Sequence, residues 1–194
     1  MNSNNPAQER VLVITRVFDA PVALVWQAWT DPDHMMKWWG PDYFTSPSAQ
    51  LNVREGGTSL VCMRAPAEFG GQDMYSTWVY TKIVPLQRIE FIQNLADMNG
   101  NLVDPAMMGL PPEFPRDVLT VVTFKDLGNG QTEMSITEYG MPDAHTELGQ
   151  NAALGLNQSL DKMAATFVTQ RNSGNLKLGT YFRRSSPWAF GAPR

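Results

Sequence analysis

Cysteine occurs once in this chain, at Cys62, and histidine twice, at His34 and His145. A single thiol excludes an internal disulfide and any site built on several cysteines. The two histidines form neither an HxxxH pair nor a cluster with the cysteine, and each sits where a helix is expected to begin, so no metal centre is read from the sequence. Positive charge is also short. The chain has 15 Lys and Arg against 19 Asp and Glu, a net charge of -4, which is the opposite of a nucleic-acid binder's footprint. Long apolar runs are missing too: Met1 to Arg10 is polar, and the first apolar run, Val11 to Ile14, is far too short to span a bilayer. The expectation is a cytoplasmic protein with no membrane insertion and no nucleic-acid partner. Nucleophile elbow, Gly-x-Gly-x-x-Gly and Walker A signatures are absent, and Cys62 has no evident base beside it, so it reads as a small buried hydrophobe and no cofactor is implied.

What is present suits one globular domain: 194 residues, 43% of them hydrophobic and 18% charged. Residues 11 to 18 are rich in β-branched types and end at Asp19-Ala20-Pro21, predicting a strand and then a helix start. Val22, Val25, Trp26 and Trp29 follow one helical face. Thr30-Asp31-Pro32 stops that helix and starts a second short one, which ends at Trp38-Trp39-Gly40-Pro41. From Tyr43 to Tyr139 strand patterns alternate with turn chemistry at Glu55-Gly56-Gly57, Phe69-Gly70-Gly71, Val84-Pro85-Leu86 and Gly128-Asn129-Gly130, predicting an antiparallel meander. Asn129-Gly130, between Val118–Lys125 and Thr132–Tyr139, is the sharpest hairpin signal, because a type I′ turn needs positive φ at both central residues.

Asp97 to Arg116 interrupts the meander. Gly100, Gly109 and prolines at 105, 111, 112 and 115 forbid a regular strand, so a long loop is expected there. Met98, Met107, Met108, Leu110 and Phe114 give that loop apolar surface that could cover an opening. From His145 to Gln170 the apolar residues Leu148, Ala152, Leu156, Leu160, Met163 and Phe167 recur every three or four positions, predicting a long amphipathic helix that stops at Arg171-Asn172-Ser173-Gly174. The tail beyond it mixes basic and aromatic residues, among them Tyr181, Phe182, Arg183, Arg184, Trp188 and Phe190. The reading divides the chain into a flexible segment 1–9, a domain over 10–171 and a tail over 172–194.

The order strand, two short helices, six strands and a long helix resembles the START-like, or helix-grip, superfamily. Thr15-Arg16-Val17-Phe18-Asp19-Ala20-Pro21, Val25-Trp26-Gln27-Ala28-Trp29-Thr30-Asp31-Pro32 and Trp38-Trp39-Gly40-Pro41 narrow the resemblance to bacterial homologues of the activator of the 90-kDa heat-shock-protein ATPase, the AHSA type. Asn52-Val53-Arg54-Glu55-Gly56-Gly57, Val84-Pro85 with Arg88-Ile89, and Gln158-Ser159-Leu160-Asp161-Lys162-Met163 continue it, over roughly residues 10 to 170. Asn52 departs from the family's frequent aspartate, and Leu156-Asn157 from its frequent glycine-tryptophan. The resemblance implies an α+β helix-grip fold: a curved antiparallel sheet of about seven strands wrapped around a long C-terminal helix, two short helices after the first strand, and a cavity between sheet and long helix, with Trp38 and Trp39 closing the fold near it.

Strand-facing Met63, Trp78, Tyr80, Phe91, Phe124, Met134 and Ile136, with Trp39 and with Leu156, Leu160 and Met163 of the helix, are the candidate lining of such a cavity or else plain core. Met134, Ile136 and Glu138 share one strand face, so an inward face would carry the Glu138 carboxylate into apolar surroundings, with Arg54 a candidate partner; the other reading is a strand-end Glu that simply reaches solvent. Unpaired, Glu138 would have a raised pKa suited to donating a proton or anchoring a polar ligand group. The leading expectation is therefore a binding protein for a hydrophobic or aromatic small molecule, with no defined catalytic set. One alternative is a cyclase- or hydrolase-type enzyme using Glu138, Tyr80 or Tyr139. A further one is a chaperone-associated module. Apolar residues in the 97–116 loop and the tail make a homodimer plausible.

Overall fold

The computed structural model describes residues 11–111, 114–142 and 145–181, with side chains through Thr169. The N-terminal segment 1–9 expected to be flexible, Pro112 of the long loop, and the tail's Phe182, Arg183, Arg184, Trp188 and Phe190 lie outside the described residues. Strand β1 spans Val11–Phe18, helices α1 and α2 span Val22–Thr30 and Pro32–Trp38, and strands β2 to β7 span Ala49–Gln50, Thr58–Arg64, Asp73–Val84, Arg88–Ala96, Val118–Gly128 and Gln131–Tyr139. Helix α3 spans Glu147–Tyr181. The α2 start is set by the Asp31 carboxylate, which accepts from the His34 N–H, with Pro32 at the first helical position where its missing N–H costs nothing.

The seven strands form one antiparallel sheet in the order β1-β7-β6-β5-β4-β3-β2, a meander whose first strand returns to pair with its last. Asn129 and Gly130 both have positive φ, 53° and 76°, as the hairpin signal required. The strands extend further than predicted at this turn, β6 reaching Gly128 with a register shift between Asp126 and Gly128. The 97–116 segment is a loop containing a short 3-10 turn, Pro105–Met108, and a single bridge between Ala96 and Leu102. Asp97 accepts from the Asn99 and Asn101 N–H groups, and Asp104 accepts from Ala106 N–H and pairs with Arg116, so short polar bonds hold the loop's form. Its apolar residues divide: Met98 and Met107 are exposed, whereas Met108, Leu110 and Phe114 are half-buried.

The long helix does not stop at Arg171–Gly174, as its residues predicted, but continues to Tyr181. No proline lies within it, and a lone glycine in a helix interior costs only about 1 kcal/mol relative to alanine, too little to end it. Three contacts set its position on the sheet. Arg16 of β1 donates to Asn157 and pairs with Asp161. Phe18 meets Phe167 edge-on at 5.6 Å. The Lys162 ammonium donates to the carbonyls of Gly40, Pro41 and Phe44 at 2.8, 3.4 and 2.9 Å, stapling the helix to the turn after α2. Burial pushes the Lys162 pKa down, with Asp42 acting against it. Gly40 allows that turn: its φ is 102°, and a Cβ there would crowd Phe44 and Met63. Among the described residues no helix is long and apolar enough to cross a membrane.

Candidate functional site

Register decides which side chains meet. Tyr80 of β4 faces Phe91 of β5, Phe91 faces Thr120 of β6, Thr120 faces Glu138 of β7, and Glu138 faces Leu12 of β1. Directly opposed residues share one face of a sheet. Leu12, Thr120, Phe91 and Tyr80 are all buried, so this row lies on the covered face and carries Glu138 with it. Met134 and Ile136, four and two residues before Glu138, are buried on the same face, as strand alternation required.

Aromatic rings continue the row. Trp78 stacks on Phe91 at 4.6 Å, and Tyr80 meets the same ring edge-on at 6.0 Å. Trp39 approaches Trp78 at 4.9 Å, and Trp29 lies 6.0 Å from Trp78 and 5.0 Å from Trp38. The polar atoms of these rings have different fates. Trp38 Nε1 donates to the Ala28 carbonyl at 2.8 Å and Trp29 Nε1 to the Met134 sulfur at 3.2 Å. The Tyr80 hydroxyl is bonded to Ser59 Oγ at 2.8 Å, and burial pushes its pKa up to about 12, so it stays a neutral phenol near pH 7. Trp78 Nε1, however, is buried with no hydrogen-bond partner among the described residues, and so is Thr120 Oγ1.

Glu138 is the third such group. It is half-buried, no hydrogen bond or ion pair reaches it among the described residues, and loss of hydration raises its pKa from an ordinary 4.5 to about 7. Arg54, considered as its partner, is exposed and donates instead to Asn52 Oδ1. The reason is topological: Arg54 belongs to the turn before β3, and β4, β5 and β6 separate β3 from Glu138's strand. Tyr139 points to the opposite face, paired with exposed Val11, which removes it from Glu138's surroundings.

The other candidate lining residues are spread along the same face. Phe124 lies at its far end, 5.3 Å from the Trp26 ring. Leu160 and Met163 of α3 are fully buried and Leu156 half-buried. Met63 is half-buried beside Gly40. Cys62 is buried, with its thiol pKa raised first by burial and then by Asp73. Sequence reasoning missed Thr120, because nothing in a strand's own residues tells which of its hydroxyls will stand opposite a buried acid. It also missed Lys162 and Ser59, whose partners are distant in the chain. The family's departing Asn157 has a structural use: it accepts from Arg16 and donates to the Ala153 carbonyl.

Two recesses lie elsewhere. One, of about 310 Å³, lies between the end of β1 and α3, lined by Val17, Phe18, Asp19, Ala164, Phe167 and Val168. The other, of about 240 Å³, lies at the base of the long loop beside Asn94, Leu102, Asp104 and Arg116. Among the described residues no group of His, Cys, Asp and Glu is placed to hold a metal ion.

A curved antiparallel sheet gripping a C-terminal helix, with two short helices after the first strand, defines a START-like helix-grip domain. The chain belongs to the family described as activator of Hsp90 ATPase homolog 1-like protein, which matches residues 19–168. Among solved structures it is similar to protein CV1439 from Chromobacterium violaceum, at 29% identity and a TM-score of 0.64, covering 81% of this chain and 96% of that one. A protein from Arthrobacter aurescens shares the fold at 22% identity and a TM-score of 0.67, over 87% and 90% of the two chains. The AHSA1 protein from Silicibacter pomeroyi does so at 17% identity and 0.63, over 83% and 99%. No curated protein matches the chain.

Proposed function

We propose that this AHSA-type module binds a small hydrophobic or aromatic molecule between the inner face of the sheet and α3, with Glu138, Thr120 and Trp78 as polar anchors. The observation that carries the reading is the set of three unpartnered polar groups on a face otherwise built of buried aromatic and aliphatic side chains. Buried polar groups in folded proteins are nearly always satisfied, and each one left open costs about 1 to 3 kcal/mol. A ligand with complementary donors and acceptors removes that cost, which is how an apolar site with a few convergent polar groups gains specificity. The test is a thermal-shift titration against a panel of aromatic and hydrophobic metabolites. Saturable stabilisation is expected, about 2.7 kcal/mol at a hundredfold excess over Kd, weakened in Trp78→Phe and Thr120→Val. A panel without any shift would overturn the reading and turn attention to the protein-partner role that the family description invites.

Acid-base catalysis is a second reading, favoured by Glu138 titrating near 7, where a carboxyl can both donate and accept a proton. Glu138→Gln distinguishes the two: loss of turnover with binding retained supports catalysis.

A further inference from the structure

We infer that the molecule accepted here is an aromatic organic base that enters as a cation and sets its protonated nitrogen against Glu138 and Thr120. This rests on the binding reading above and names the chemical class that reading leaves open. Glu138 and Thr120 stand opposite one another across β7 and β6, and among the described residues neither the carboxylate nor the hydroxyl has a partner. An ammonium offers several N–H donors and no acceptor, so one such group satisfies the carboxylate oxygens and the Thr120 oxygen together. Trp78 sets the orientation. Its N–H can only donate, so it repels a cation and calls for an acceptor on the ligand. It sits three strand spacings from Glu138, roughly 14 Å across the sheet, so cationic and acceptor ends are kept apart. Between them on β5 lies Phe91, whose ring is stacked on Trp78 and keeps the space between the two ends apolar.

The charges on the surrounding elements leave the Glu138 position open to an incoming one. On β1, Arg16 is engaged by Asn157 and Asp161; on α3, Lys162 is engaged by three backbone carbonyls, and Glu147 is exposed. In the long loop Arg116 is paired with Asp104, and Asp117 is bonded to Asn94. On β6 and β7, Lys125 pairs with Glu133 near the opposite end of the strands. Burial alone accounts for the raised Glu138 pKa, with no neighbouring charge contributing.

The test is calorimetry with three naphthalenes of one size: 2-naphthylmethylamine as cation, 2-acetonaphthone as neutral acceptor and 2-naphthoate as anion. The amine is expected to bind at least tenfold tighter than the ketone at pH 8. Its affinity should fall about tenfold at pH 6, where Glu138 must first lose a proton. Measured in two buffers of different ionisation enthalpy, wild type should release close to one proton per amine bound at pH 6 and close to none at pH 8. Glu138→Gln should abolish both the preference and the pH dependence, and Thr120→Val should weaken the amine alone. Ketone binding as tight as the amine, or an amine affinity unchanged by pH and by Glu138→Gln, would overturn the inference while leaving the binding reading intact. Absence of binding by all three probes would overturn both.

Discussion

The two ends of the sheet's inner face are built from the same kinds of residue and finished differently. At the end covered by α1 and α2, the polar atoms of the most deeply buried side chains are used: Trp38 bonds Ala28, Trp29 bonds Met134, and Lys162 caps the turn after α2. Along the row that runs from there to the end where β6 begins and β7 stops, Trp78, beside Trp29 and Trp39, and then Thr120 and Glu138 have no hydrogen-bond partner among the described residues. The first arrangement lowers the free energy of the folded chain, whereas the second raises it. A protein tolerates unsatisfied groups where something other than its own fold uses them.

Substitutions should therefore act oppositely at the two ends. The largest effect is expected for Trp38→Ala, which removes a fully buried ring and should cost about 4 kcal/mol in urea unfolding. Lys162→Met strands three carbonyls that share one ammonium and should cost about 3 kcal/mol by the same measurement, with α3 loosened from the turn after α2. At the open end the sign reverses. The Glu138 pKa is higher folded than unfolded, so the native state holds its proton more tightly, and stability falls as pH rises from about 4.5 through 7. Glu138→Gln should thus be about 2 kcal/mol more stable than wild type at pH 8 and equal to it near pH 4.5, less than a fully buried carboxyl would show because part of the residue still meets solvent. Thr120→Val replaces an unsatisfied hydroxyl with a methyl of the same shape and should stabilise by about 1 kcal/mol. If thermal melts show Glu138→Gln and Thr120→Val to be destabilising instead, the contrast between the ends does not hold.

Much of this architecture could be read before any coordinates. Strand β1, the α1–α2 pair split at Asp31-Pro32, the Asn129-Gly130 hairpin and the loop rich in proline all follow from local chemistry: β-branched runs, a capping aspartate, turn residues and missing N–H donors. That Glu138 shares a strand face with Met134 and Ile136 was legible from period-two alternation, but whether its carboxylate turned inward or reached solvent at the strand end was not. Nor was its lack of a partner, or the true position of Arg54. The end of α3 was misjudged because weak local breakers compete with helix propagation, which continues until a strong signal stops it.

The sequence by itself determined most of the segments that are strands and helices and which side chains share a face within each, because those depend on neighbours a few residues away. The tertiary structure alone decided that Tyr80, Phe91, Thr120, Glu138 and Leu12 form one row, because that row is drawn by hydrogen-bond register among five strands. It also decided that one tryptophan finds an acceptor while another does not. Pairing partners far apart in the chain are chosen by the packing of the whole sheet, a quantity no local window of residues contains.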